Sequence, residues 1–297
     1  MMLALLFAAI VAASPVKLTP AQEGELVRGI MRHRLAYERW LQKDSTSYLA
    51  TVGRRDFGSR KTLTVGAAPD NDLQLAGEGI RPHHLRVTVM GDGFEVTTVD
   101  PQATFRYRNA NVREAQMLLG SIQVGRYRLV LSNQHFPAII VQDPKSPRFQ
   151  NYKGVRFFPV DPSDRFVLPL RLNPKPEREV ILSTRGDRRQ ALRVGWFDFL
   201  VHGRRCRLEV NRLLEPGVGE DDLMVLFRDA TTGKESYPVG RYVDPKRLAD
   251  GRYLLDFNGA YNPACAYSPD YNCPLPPRAN TLKVAIRAGE MDSHYSH

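Results

Sequence analysis

Three carboxylates in the last third of the chain, Asp229, Glu235 and Asp256, have cations and amides near them in the sequence of the kind that acid–base chemistry uses. Lys234 and Arg241 would supply electrostatic partners, and Asn258 and Asn262 would orient a reacting group. Carboxylates do such work only when positioned and shifted in pKa, so these residues define a hydrolase-type possibility and not a signature. The same residue types have a structural use. Asp229 and Lys234 can shape a hairpin turn, Asp256 can pair with a nearby Arg, and Asn258 and Asn262 can cap loop backbone. The second use is favoured, and with it a non-catalytic binding or interaction protein of the cell envelope. Tyr261, Tyr267 and Tyr271 would then give contact area at low entropic cost. No glycine-rich phosphate loop, nucleophile elbow or metal-binding histidine pair occurs in this region, so no cofactor and no metal are expected. Catalysis itself is left undecided.

These residues surround one stretch, Gly251 to Pro277. A short apolar strand, Tyr253 to Phe257, runs into a loop dense in Asn, Tyr and Pro. Polar residues carried off a strand end into a constrained loop are where sites are built. In an exported chain Cys265 and Cys273 read as a disulfide closing that loop, contributing about 2–3 kcal/mol. A half-built metal site or a redox pair ranks lower, because the spacing is not C-x-x-C and no His lies within the loop. Cys206 alternates with Leu208 and Val210 along a strand, which turns it inward as a small hydrophobe.

Export is expected from the first residues. Leu3 to Ala13 is an apolar run too short to span a bilayer, and Val11-Ala12-Ala13 offers a cleavage site before Ser14. Residues 1–13 therefore read as a signal peptide, placing the protein in the periplasm or outside the cell. No later stretch is apolar enough to span a membrane. The 297 residues carry 21 prolines and a formal net charge of +10. The basic residues are mostly Arg interleaved with acids, without an aromatic-basic block, which argues against nucleic acid as the partner. A protein or an envelope small molecule fits better.

Thr19-Pro20-Ala21-Gln22 has the capping box and first-turn proline of a helix start. Leu26, Val27, Ile30, Met31, Leu35 and Trp40 follow as the apolar face, with Arg28, Arg32, Arg34 and Arg39 on the remaining surface. This amphipathic helix occupies 14–46 and caps a domain. Short strands separated by turn residues then fill 47–143, the pattern of a β-sandwich. A Pro-rich connector at 144–162 is anchored by Phe149, Tyr152, Phe157 and Phe158. A second β-domain, sandwich-like or barrel-like, covers 163–290 and includes a strand at Thr281–Ile286, before a tail at 291–297. The expected class is thus mostly β, with two domains behind a signal peptide and one helix.

Within the first β-region, Leu63-Thr-Val-Gly-Ala-Ala-Pro-Asp-Asn-Asp-Leu-Gln-Leu75, Ile80-Arg-Pro-His-His-Leu-Arg-Val87, Asn109-Ala-Asn-Val-Arg and Leu119-Gly-Ser-Ile-Gln-Val-Gly125 resemble a forkhead-associated domain. That resemblance implies a phosphothreonine-reading sandwich. The reading residues depart from the family, however, with Ala67 in place of the Arg after the first Gly and Arg81 at the phosphate-binding Ser. His84 fits the family's structural His. The resemblance therefore implies the scaffold without the phosphopeptide function.

In the second β-region, Arg228-Asp-Ala-Thr-Thr-Gly-Lys-Glu-Ser-Tyr237, Gly240-Arg-Tyr-Val-Asp244 and Leu255 to Ser268 continuing through Cys273-Pro-Leu-Pro-Pro277 resemble the domain of unknown function (DUF) 1684 family of bacteria and archaea. The resemblance runs from the helix to Gly289. It implies the two-part layout and brings no established activity.

Overall fold

The computed structural model describes residues 15–293, so the candidate signal peptide at 1–13 lies outside the described residues. Helix α1 (Pro20–Lys43) begins at the expected cap. Thr19 Oγ1 accepts from Gln22 N, and the Gln22 side chain accepts from Thr19 N at 2.9 Å. Its contact face differs from the expected one. Arg34 and Leu41 are buried, with Ile30, Tyr37 and Trp40 partly so, whereas Val27, Met31 and Leu35 stay exposed. Positions 30, 34, 37 and 41 form one line on a 3.6-residue helix, and the apolar residues at 27, 31 and 35 form the neighbouring line. An Arg occupies the inward line because its guanidinium stacks 4.6 Å from the centre of the Phe157 ring and donates to Phe158 O at 2.8 Å.

A turn at Tyr48–Ala50, where a strand start was expected, leads into eleven strands. They are β1 (Thr51–Asp56), β2 (Thr62–Gly66), β3 (Leu73–Gln74), β4 (Leu85–Met90), β5 (Gly93–Thr98) and β6 (Phe105–Tyr107), then β7 (Ala110–Val112), β8 (Glu114–Met117), β9 (Gly120–Val124), β10 (Tyr127–Ser132) and β11 (Ala138–Gln142). One sheet runs β1-β11-β10-β9-β6-β7 and the other β3-β2-β4-β5-β8. Alternate residues such as Leu63, Val65, Val87, Val96, Leu129 and Leu131 meet in a single core between the sheets, the period-2 logic of a sandwich. His84 is buried as a structural residue: Nδ1 accepts from Arg81 N, and Nε2 lies 2.9 Å from Thr104 O. Gly66 is required by space, since a Cβ there would lie 2.1 Å from Pro82 O. The chain enters and leaves this region side by side, with Thr51 opposite Gln142 and Asp143 N donating to Ala50 O at 2.8 Å.

After the connector come β12 (Arg165–Leu168), β13 (Arg171–Leu182), β14 (Arg188–Val201), β15 (Arg204–Leu213), β16 (Val225–Phe227), β17 (Arg241–Val243), β18 (Lys246–Arg247) and β19 (Tyr253–Asp256). They form three small antiparallel sheets, β12-β19-β18, β13-β14-β15 and β16-β17, and no barrel closes among the described residues. The β14–β15 turn at His202-Gly203 takes positive φ at both residues, 47° and 75°, the backbone a tight hairpin needs. Phe197, Phe199 and Leu208 from one sheet, Phe166 and Leu255 from the second and Phe227 from the third share one core. Cys206 is buried in it as expected.

The expected strand at Thr281–Ile286 is absent. Its backbone is held by partners other than a ladder: Leu282 N donates to Arg228 O, Ile286 N to the Asp229 carboxylate, and Ile286 O accepts from Arg241. A third cluster joins the pieces. Tyr37, Trp40 and Leu41 of α1, Tyr48 and Leu49, Phe149 and Tyr152 of the connector, and Tyr267, Tyr271 and both loop cysteines pack together. The Gly251–Pro277 stretch is the centre of that cluster.

Candidate functional site

Strand β19 delivers Asp256 and Asn258 to the start of the loop, and both are used locally. Asp256 Oδ1 accepts from Asn258 N and Nδ2, each at 3.0 Å, capping the turn Phe257–Gly259. Asn258 also pairs with the backbone of Asp161 in both directions, donating to its carbonyl and accepting from its N–H at 2.8 Å. The amide thereby splices connector to loop. Arg165 lies 3.8 Å from Asp256.

Asp229 and Arg241 form an ion pair at 3.5 Å with both side chains fully inaccessible. Arg241 donates to the carbonyls of Ile286, Ala288 and Glu290, and Asp229 accepts from Thr231, Thr232 and Ile286 N. Removing one partner of such a pair leaves a buried charge alone, which is why these two types occur together here. Glu235 pairs with Arg287 on the surface at 2.9 Å, and Lys234 is exposed on the turn. The four residues whose convergence would build a carboxylate-based active site therefore divide: Asp256 and Asn258 face one cleft, while Asp229 and Arg241 lie outside its walls.

Asn262 and Tyr267 converge on a residue that sequence reasoning left out. Glu290 is wholly buried, and its carboxyl accepts from Asn262 N and Nδ2 at 2.9 Å and from the Tyr267 hydroxyl. Burial pushes Glu290 up to about 7 although these donors and the charge of Arg241 pull the other way. Burial likewise drives the phenols of Tyr37 and Tyr267 far above their ordinary range, and the two are hydrogen-bonded to each other.

The expected Cys265–Cys273 disulfide is not present. Both cysteines are buried free thiols, side by side, with Cys273 Sγ accepting from Cys265 N at 3.3 Å. Their contact supplies part of what a bond would: the two thiols hydrogen-bond, and Tyr237 OH donates to Cys265 Sγ. The loop is closed instead by Cys273 N donating to Thr184 Oγ1, by Leu275 N donating to Leu182 O and by its aromatic packing.

A cleft of about 600 Å³ opens between α1 and this loop. One wall is helical, with Ile30, His33, Arg34 and Tyr37; the opposite wall carries Val243, Asp244, Lys246, Leu254, Asp256, Asn258 and Tyr261; Tyr48, Phe157 and Glu290 also line it. Tyr261 OH donates to Asp244 at the rim at 3.1 Å. Of the sequence-nominated residues, Asp256, Asn258 and Tyr261 line the cleft directly, and Asn262 and Tyr267 hold its Glu290 from behind. Arg34, Tyr37 and Glu290 were missed as site residues. The available signal was Arg34 itself, a charged residue on the helix line that otherwise reads Ile30, Tyr37, Leu41.

Fold and cleft together define a mostly β protein in which helix α1 forms one wall of a ligand-sized cleft against a loop-rich C-terminal part. Residues 150–291 match the model of the family described as Protein of unknown function (DUF1684), a shorter segment than the expected one from the helix to Gly289. Among solved structures it is similar to an uncharacterized protein of Haloarcula marismortui determined by solution NMR. The identity is 36% over 50% of this chain and 83% of that one, with a TM-score of 0.40. It is also similar to the FhaA FHA domain complexed with an intracellular domain, at 20% identity over 29% of this chain and 96% of that chain, TM-score 0.21. An FHA domain from work on phosphothreonine-dependent FHA interactions matches at 21% identity over 31% and 95%, TM-score 0.22. The FHA likeness thus covers a minor part of the chain. No curated protein matches it.

Proposed function

We propose that this is a non-catalytic binding protein of the cell envelope, exported by its N-terminal apolar segment, which retains a small molecule in the cleft between α1 and the Gly251–Pro277 stretch. In this reading 47–143 and 163–290 are separate domains, and the helix is one wall of the cleft. The observation that carries it is how the polar residues are occupied. General acid–base work needs a carboxylate whose oxygens face the substrate. Asp229 is consumed by Arg241 and backbone, Glu235 by Arg287, and Asp256 by the turn it caps. The other two carboxylates on the cleft are also held, Asp244 by Tyr261 and Glu290 by Asn262 and Tyr267, which leaves an apolar and phenolic wall set with fixed charged and polar groups, the make-up of a site that holds a ligand.

The test is native mass spectrometry of protein purified from the compartment in which it accumulates. A bound small molecule released on unfolding, unchanged after long incubation with fresh protein, and a mature chain beginning at Ser14 are expected. Conversion of that molecule would favour the hydrolase alternative, with Glu290 the first acid to replace because it holds its proton near neutral pH. A mature chain that retains residues 1–13 would remove the export reading.

A further inference from the structure

Arg34 is the one buried arginine here that lacks an acid. Three arginines fall in the buried class among the described residues: Arg34, Arg189 and Arg241. Arg189 is clasped by Glu215 through two bonds of 2.6 Å, and Arg241 has Asp229. Arg34 has no carboxylate within 4.0 Å among the described residues. The only acid whose charge it feels appreciably is Asp256, which is committed to Asn258 and Arg165. The guanidinium uses Nη1 on Phe158 O and its face on Phe157, while Nε and Nη2 are buried without a hydrogen-bond partner. Buried donors are nearly always satisfied, and a buried cation without a counter-charge is costlier still.

The unused edge has a defined shape. Nε–H and one Nη2–H point the same way and form a fork that matches the two oxygens of a carboxylate. This protein uses that same edge wherever an arginine holds an acid two-handed: Arg189 on Glu215, Arg207 on Asp198, and Arg287 on Glu235. In Arg34 the edge is empty, at a residue 8% exposed that lines the cleft beside Tyr37 and Phe157.

We infer that Arg34 is the carboxylate-binding residue of the cleft, and that the ligand is a small organic acid whose apolar or aromatic body lies along Tyr37, Phe157 and Leu254. This rests on the proposed binding function and names its ligand class. A planar carboxylate fits better than a phosphate because only one fork is offered and the cleft already carries Asp244, Asp256 and Glu290, which disfavour a more highly charged anion, while Tyr37, Phe157 and Leu254 supply apolar wall for an organic body. The ligand would complete the ion pair that the chain leaves open.

The experiment uses the full chain and two probes of the same shape, 3-phenylpropanoate and 3-phenylpropanamide, followed by calorimetry and by the Arg34 Nε–H resonance. The acid should bind at least about tenfold tighter than the amide, a difference of about 1.4 kcal/mol. It should also move the Nε–H resonance, which the amide leaves in place. Arg34→Met should erase the preference, and Arg34→Lys, which keeps the charge and lacks the fork, should retain only part of it. Gly29→Leu should weaken acid and amide alike by filling the cleft, since a Cβ at Gly29 meets nothing nearer than 3.9 Å and leaves the helix intact. Equal binding of the two probes, or a preference that survives Arg34→Met, overturns the carboxylate assignment while the cleft reading stands. Displacement of the acid by inorganic phosphate at lower concentration overturns it in favour of a phosphate ligand. If neither probe binds at millimolar concentration and the purified protein carries no small molecule, both the assignment and the binding reading fall.

Discussion

Replacing Glu290 with Gln should flatten the pH dependence of stability, and the expected size follows from where Glu290 sits. Its carboxyl is raised from an ordinary 4.5 to about 7 by burial, so between those values the folded chain binds a proton that the unfolded chain has released. Stability from this group is therefore complete below pH 4.5 and is lost as pH rises through about 7. At about 1.4 kcal/mol per pH unit, the wild type should lose up to about 3 kcal/mol of unfolding free energy across that window. Glu290→Gln cannot titrate. Its carbonyl can still accept from Tyr267, but its NH2 faces a donor at Asn262, at a cost of about 1–3 kcal/mol. The variant should start lower at about pH 5 and converge on the wild type by about pH 8. Urea unfolding at several pH values, followed by tryptophan fluorescence, reads the difference between the two curves. Asp164, which burial raises to about 6, adds the same sign of slope to both proteins and cancels in that difference. Parallel curves would refute the placement of a neutral Glu290 in the native state.

The buried ion pair makes a second demand. Arg241→Met or Asp229→Asn alone should each cost about 3–5 kcal/mol in urea unfolding, and the double variant should cost less than the sum. Gly66→Ala should destabilise the sandwich by about 2–4 kcal/mol, since its Cβ would strike Pro82 O, while Gly53→Ala, with open space around it, should be near neutral. In reduced protein Cys206, Cys265 and Cys273 should all resist iodoacetamide until denaturant is added, because each is at most 7% exposed; alkylation of Cys265 or Cys273 in the native state would show that the loop opens.

Local chemistry was the legible part. The Thr19–Gln22 cap, the alternating strands of the sandwich and the inward Cys206 all announce themselves within a few residues. What the sequence hid was partner choice across long separations. Asp229 and Arg241 are twelve positions apart, but their meaning depends on carbonyls at 286–290 that no local pattern links to them. The same bonds removed the expected strand at Thr281–Ile286, whose alternation was real while its backbone had other partners. On α1 two adjacent apolar lines competed, and the line carrying Arg34 packed inward because Phe157 and Phe158 are brought to it by the connector. Asp256 and Asn258 were rightly suspected of local duty, yet they also face the cleft, so neither reading excludes the other.

The pairing of Thr51 with Gln142 and the bond from Asp143 to Ala50 give the sandwich a closed neck. Everything between those two points is an excursion that departs from the chain and returns to nearly the same place. Helix, connector and loop meet one another outside that excursion, in the third cluster. The residues that line the cleft accordingly all lie outside the excursion. The excursion is nevertheless tied down at its far side as well, by Arg185 on Asp56, His135 on Leu214 O and Asn272 on Gln134. The sandwich thus braces the C-terminal part from which the loop springs while the helix keeps its seat on that loop.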